Sequence, residues 1–472
     1  MVGCERAAER IVLTSSAALD PGCEWTGGVD ITASGVTLDC AGATIRGEAG
    51  AGGRGIAIVS PVEVAQTDVT VRGCTVRGFL NSIRVTRDGF RDLAPGREYD
   101  ATTARIVLEG NDVGGSRGVG IFVDGYVSDV TIRRNRVAGA GSSGIYLEAG
   151  SRDNAVVDNE IVGNGGTENG PGGQTTVLGG VTFWYWGTGR EGLSIDGSRD
   201  NVVTGNRFVD NAAGGIFLYE NCGEYHRSRP GSWFERRYGA DGNRIEANTF
   251  VGGRNGVWVG SRMGESTAAM ECSDEPYLVD GITSVTLDRA VGNRIVANRF
   301  RDVTYGVRVE DDDTLVEANT FEASSPDHHA VIVGTPHRTA VLHRPVTGTV
   351  LRANASAIAG NPYPYRWVHG ERGSTLAGNT ALGHAVGWCE GRPIPREPLV
   401  MVVAVAPAGP GGERPATPDL TIPLLGALPP CPTAAGPSTT GPTATGAVRA
   451  AGTGVGTAPA AVARRAAPAY TG

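Results

Sequence analysis

Apolar and polar residues alternate in short runs, and Gly, Asn or Asp cuts each run off after four or five positions. The strings GIFV at 120, GIYL at 144, GLSI at 192, GIFL at 215, GVWV at 256, GVRV at 306 and AVIV at 330 share one grammar: a small residue, then apolar, variable, apolar. A period of two predicts half-buried strands, and no stretch carries the period of an amphipathic helix. A second step, Asn-x-apolar, recurs at Asn111, Asn135, Asn159, Asn206, Asn248, Asn298 and Asn319.

The pattern is a repeat. GIYLEAGSRDNAVVDNEI, from Gly144 to Ile161, returns as GLSIDGSRDNVVTGNRF from Gly192 to Phe208. The shortest Asn spacings are 24, 24 and 21 residues, with two or three strands in each unit. Such a period, without a helical crossover, predicts a solenoid that stacks each coil on the next. A leucine-rich repeat would need a Leu-x-x-Leu-x-Leu ladder, which is absent.

On these motifs the chain resembles the right-handed parallel β-helix proteins, the pectate-lyase-like superfamily of uronan lyases, polygalacturonases, alginate epimerases and NosD-type periplasmic proteins. The resemblance covers roughly residues 30 to 385. It implies an all-β, right-handed parallel β-helix of 21–24 residues per coil. The expected organisation is an N-terminal cap at 1–35, coils at 36–385, a C-terminal capping segment at 386–432 and a disordered tail at 433–472, where the composition turns to Pro, Thr, Ala and Gly.

Composition narrows the function classes. The 472 residues hold 72 Gly and only 6% aromatics, which suits a long thin core. A net charge of -8 without any basic run argues against nucleic acid. All 42 basic residues are Arg, so no lysine can act as a general base. The eight cysteines form no CxxC pair; sequential disulfides Cys4–Cys23, Cys222–Cys272 and Cys389–Cys431 are expected, with Cys40 and Cys74 falling near each other if their coils stack. No apolar run reaches the length of a membrane span, and the longest lies around 399–406. A secreted, periplasmic or cell-surface monomer is expected.

Alternation also sorts the strand positions. In each GIxV strand the third and fifth residues should face outward on one sheet. The third-position column reads Arg84, Phe122, Tyr146, Ser194, Phe217, Trp258, Arg308, Ile332, and the fifth reads Thr86, Asp124, Glu148, Asp196, Tyr219, Gly260, Glu310, Gly334. Long insertions at 86–104, 219–242, 260–292 and 334–347 all follow this strand and would wall a groove over its face; a further one, at 165–191, leaves from another corner.

Phe122, Tyr146, Phe217 and Trp258 are candidates for stacking sugar rings. Asp124, Glu148 and Asp196 would form an acidic column able to hold calcium, the one candidate ion; no organic cofactor is expected. The loop Arg227, Arg229, Arg236, Arg237 suits a carboxylated substrate, with Arg236 and Arg237 as binding residues. Arg308 and Glu310 lie between Gly260 and Gly334, which predicts a hollow over the carboxylate, with Tyr219, Arg262 and His337 arriving from the loop roots. Each of these five could serve catalysis, or Arg308 and Glu310 could form a structural ion pair. The resemblance to alginate epimerases adds His328, in Ser325-Pro326-Asp327-His328-His329, although Asp and Pro are transposed relative to the Asp-Pro-His motif of those enzymes.

The expected function is an exported enzyme acting on an acidic, uronic-acid-containing polysaccharide by lyase, epimerase or hydrolase chemistry. The alternative is a non-catalytic β-helix that binds its partner in the groove, either NosD-like or a surface adhesin.

Overall fold

The structure is a computed structural model that describes residues 1–47, 53–168, 170, 174–178, 181–185, 188–221, 237–261, 277–278, 284–285, 288–335, 338–339, 345–368, 373–390 and 402–404. The chain divides into two units, Met1–Cys431 and Pro432–Gly472; the second, with the tail expected at 433–472, lies outside the described residues.

Three long sheets run the length of the first unit. The first has 13 strands from Ile11–Leu13 to Cys389–Glu390, the second 12 from Ala17–Ala18 to Gly373–Ala377, and the third 13 from Glu24–Trp25 to His384–Ala385. Each coil contributes one short strand to each sheet, paired in parallel with the coils before and after it, except that His384–Ala385 closes the third sheet antiparallel to Thr380–Ala381. The rungs begin at Ile11, so the first coil falls inside the segment expected to be the cap. What precedes it is a single 3-10 turn, Cys4–Arg6, tied down by the Cys4–Cys23 disulfide. A second disulfide, Cys40–Cys74, joins adjacent coils with Cα atoms 4.8 Å apart, and Cys389 is also disulfide-bonded. Cys222, Cys272 and Cys431 lie outside the described residues.

Between the sheets the core is a column of Val, Ile and Leu, all nearly inaccessible. Phe208, Phe250, Phe300 and Phe321 stack face to face on the third sheet, centroids 4.7–5.0 Å apart. The recurrent asparagines form a buried ladder at the corner between the second and third sheets. Each side-chain amide donates to the next Oδ1, from Asn111 through Asn135, Asn159, Asn206, Asn248, Asn298, Asn319 and Asn354 to Asn379. The same Oδ1 atoms accept the backbone N–H groups that the turn would otherwise leave unpaired, which is why the repeat requires Asn there.

The 165–191 insertion carries a hairpin, Gln174–Leu178 with Val181–Tyr185, and Val402–Ala404 adds a third antiparallel strand to it. Part of the segment expected to cap the C-terminal end thus joins an insertion from the middle of the solenoid. Strands 145–147 and 191–196 pair directly, so the 48 residues between Gly144 and Gly192 hold no extra coil. Among the described residues no helix is long and apolar enough to cross a membrane.

Candidate functional site

The third-position column is in continuous register on the first sheet: Arg84, Phe122, Tyr146, Ser194, Phe217, Trp258, Arg308 and Ile332 are each paired with the next. It is not one open aromatic platform. Phe122 and Tyr146 stack at 5.0 Å, Phe217 meets Trp258 edge-on at 5.1 Å, and Ser194 separates the two pairs. Tyr146 and Phe217 are buried, whereas Phe122 and Trp258 are half-buried. Guanidinium groups lie over three of these rings: Arg84 over Phe122 at 5.0 Å, Arg190 over Tyr146 at 5.9 Å and Arg308 over Trp258 at 5.5 Å. The indole N–H of Trp258 is buried without a hydrogen-bond partner among the described residues.

Strict alternation misses a further outward column. The pairings run Glu191 to Gly214, Gly214 to Asn255, Asn255 to Tyr305 and Tyr305 to His329, and each omits the motif Gly or Ala that follows. That small residue faces the core: a β-carbon on Gly215, Gly256 or Gly306 would collide with the ring of Phe250, Phe300 or Phe321. The inward–outward alternation therefore breaks at the motif glycine, at the same register in each of these coils, and the preceding residue turns outward. The signal was present in the sequence as the residue before each motif glycine.

This column supplies Glu191, around which a polar network closes. Glu191 Oε1 accepts from Ser194 Oγ, from Tyr219 OH at 3.0 Å, from Arg190 Nη2 at 3.3 Å and from Ser143 Oγ at 3.4 Å. Arg190 also donates to Tyr219 OH at 2.9 Å, and Ser143 and Ser194 hydroxyls lie 2.6 Å apart. One coil position away, Tyr146 OH donates to Asp196 Oδ2 at 2.5 Å. Burial drives the Tyr219 phenol well above its ordinary pKa despite the neighbouring Arg190, so it stays protonated. For Arg190, burial pulls the other way but Glu191 and Tyr219 outweigh it, and its charge is secured.

Tyr219 thus turns toward Glu191 and not toward Glu310. Arg308 and Glu310 form a buried ion pair at 2.7 Å, with Arg308 also donating to Asn255 Oδ1 at 3.3 Å. The expected hollow is filled. A β-carbon on Gly260 would meet the Trp258 indole, and one on Gly334 would meet the Val368 carbonyl.

The acidic column is likewise not an open one. Asp124, Glu148 and Asp196 lie in consecutive coils but are buried, each with its own partners. Arg84 grips Asp124 with two nitrogens; burial pushes that carboxyl up while Arg84 pulls it down. Arg91 reaches Glu148 at 3.4 Å, and Asp196 accepts from Tyr146 and from the Asn221 backbone at 2.7 Å. Three carboxylates spent in this way do not fit a calcium ion, which needs six or more converging oxygens.

Arg237 pairs with Glu98 at 2.6 Å, which joins the 86–104 and 219–242 insertions. Tyr99, Tyr126 and Tyr238 pack between them with centroids 5.9–6.3 Å apart. His328 is half-buried on the turn before strand His329–Val333, its Nδ1 3.2 Å from Ser325 O, and does not join the Tyr219 network. Arg236, Arg262 and His337 lie outside the described residues.

The sequence model of a family described as "Periplasmic copper-binding protein (NosD)" matches residues 30–262. The chain matches no curated protein. Among solved structures it is similar to the A-module of a mannuronan C-5 epimerase from Azotobacter vinelandii, with 13% identity, 83% of this chain and 90% of that one covered, and a TM-score of 0.45. It is also similar to an alginate lyase from a Paenibacillus species, with 12% identity, coverage of 81% and 93%, and a TM-score of 0.36. The catalytic domain of a GH87 α-1,3-glucanase matches at 14% identity, covering 79% of this chain but only 62% of that one, with a TM-score of 0.40. By its three parallel sheets, coil register and Asn ladder, the chain is a right-handed parallel β-helix of the pectate-lyase-like fold.

Proposed function

We propose that the protein is exported and acts on an acidic, uronic-acid-containing polysaccharide held along the outer face of the first sheet. The observation that carries this reading is the repeated pairing of cation and ring: Arg84 on Phe122, Arg190 on Tyr146 and Arg308 on Trp258. A pyranose packs its C–H face on an aromatic ring, and a guanidinium matches a carboxylate. Successive coils place these groups at steps of about 4.8 Å, comparable to one sugar unit. Two intercoil or cap disulfides support an oxidising compartment.

The chemistry is assigned to Tyr219 and Arg190, not to Arg308 and Glu310. Arg190 would neutralise the uronate and so acidify the carbon next to it; Tyr219 would take that carbon's proton while passing its own to Glu191 Oε1 across their 3.0 Å hydrogen bond, and would then release a proton to the leaving oxygen, with water serving for reprotonation from the opposite face. Elimination or epimerisation follows from that pairing more directly than hydrolysis, which needs two carboxylates flanking the bond.

A second reading, a non-catalytic binding protein, is favoured by one observation: the space over Glu310 is filled by Trp258. The copper named in the NosD description gains no support here. Among the described residues the grouping of potential ligands is Cys4, Asp20 and Cys23, and both cysteines are joined in a disulfide.

The test is a panel of polyuronates offered to the full chain, with binding read by calorimetry and turnover by unsaturated-end absorbance, reducing ends and the epimer ratio. Turnover that disappears in Tyr219→Phe supports the catalytic reading. Binding without turnover assigns the second reading, and absence of both overturns the proposal.

A further inference from the structure

We infer that Glu191 reads a single sugar hydroxyl on this face and so determines which polysaccharide fits, an inference that rests on the function proposed above. The geometry is asymmetric. Ser194, Tyr219, Arg190 and Ser143 all donate to Oε1, and among the described residues no hydrogen bond reaches Oε2.

A carboxylate offers about four lone-pair sites over two oxygens, and buried polar atoms are nearly always satisfied. Here one oxygen is saturated and the other, among the described residues, has no protein donor. Glu191 is only 3% exposed, so what reaches Oε2 is one small group and not the face of a ring.

The neighbours select the chemistry of that group. A metal ion is disfavoured, because the Arg190 cation already sits 3.3 Å from Oε1 and also holds the second carboxylate of the network, Glu168, at 3.5 Å. An anion is excluded by like charge. A neutral donor remains, and a hydroxyl is the donor that a glycan carries. Of the rings around the network Tyr146, Phe217 and Tyr219 are buried, and the half-buried Trp258 beside them gives the pyranose bearing that hydroxyl an edge to rest on.

The same face would bind the uronate carboxyl through arginine, so hydroxyl recognition is separable from charge recognition. Blocking hydroxyls by O-acetylation leaves the charge of a polyuronate intact. The full chain should bind an unmodified polyuronate at least tenfold more tightly than its O-acetylated form, read by calorimetry, and Glu191→Gln should reduce that ratio to near one. Glu160→Gln, an exposed change on the third sheet, serves as the control and should keep the ratio.

Equal binding of both polymers by the wild-type chain overturns the role of Glu191 while leaving the polysaccharide reading in place. A Glu191→Gln protein that keeps the full preference overturns it too. Should Glu191→Gln not fold, the wild-type ratio and the ratio in Ser143→Ala, which loosens the clamp on Oε1, decide the matter. No binding to any polyuronate removes the underlying reading, a different result from loss of discrimination.

Discussion

The indole of Trp258 occupies the space above Gly260: a β-carbon there would stand 2.6 Å from two of its ring atoms. The glycine is required because the ring of its own strand neighbour folds over it. Gly260→Val should therefore destabilise the protein by about 1–3 kcal/mol through overpacking. Urea denaturation measures this, and a variant as stable as the wild type would mean that the indole swings aside without cost.

Glu310→Gln follows from the same closure. With Arg308 and Glu310 side chains 10% and 6% exposed and 2.7 Å apart, the change leaves a buried guanidinium without its counter-charge. A loss of about 3 kcal/mol in unfolding free energy is expected, with any turnover retained by the folded fraction. Turnover abolished at unchanged stability would return the reaction centre to Glu310.

The Cys40–Cys74 bridge spans 34 residues and clamps two coils together. Replacing both by Ser should cost about 2–4 kcal/mol. Mapping of non-reduced peptides should recover Cys4 with Cys23 and Cys40 with Cys74; a different pairing would contradict the stacking of the first coils.

Asp311 makes stability depend on pH. Burial pushes its carboxyl up to about 7, with Arg338 at 3.3 Å opposing and Asp288 and Asp312 adding to the rise. The folded pKa is raised, so the stabilisation is full below the ordinary carboxylate range and is lost as pH rises toward 7. Across that window the wild type should lose on the order of 3 kcal/mol relative to Asp311→Asn. Parallel stability curves for the two proteins between pH 4 and about 8 would show that Asp311 ionises normally.

Much of this molecule was legible from pattern alone. Period-two runs ended by Gly and Asn at intervals of 21 to 24 residues permit only stacked coils, and the column from Arg84 to Ile332 follows from aligning the strand motifs. The reason is local: in a solenoid each coil meets only its neighbours, so register follows from aligning one repeat on the next. The same logic placed Cys40 beside Cys74.

What lay beyond the pattern was the occupation of space between coils. Alternation assigns the motif glycine to the outside, but the phenylalanine stack on the third sheet needs the room inside, and only packing shows that the alternation breaks there and turns Glu191 and Asn255 outward. Two glycines beside Glu310 read as a hollow until Trp258 and the Val368 carbonyl fill it. Asp124, Glu148 and Asp196 do stack as a column, yet whether a carboxylate there stays open depends on partners such as Arg84 and Arg91, which lie 40 and 57 residues away in sequence. Backbone pairing obeys the repeat and is written in the sequence; side-chain partnership across an irregular face depends on volume and charge, and the tertiary structure decides it.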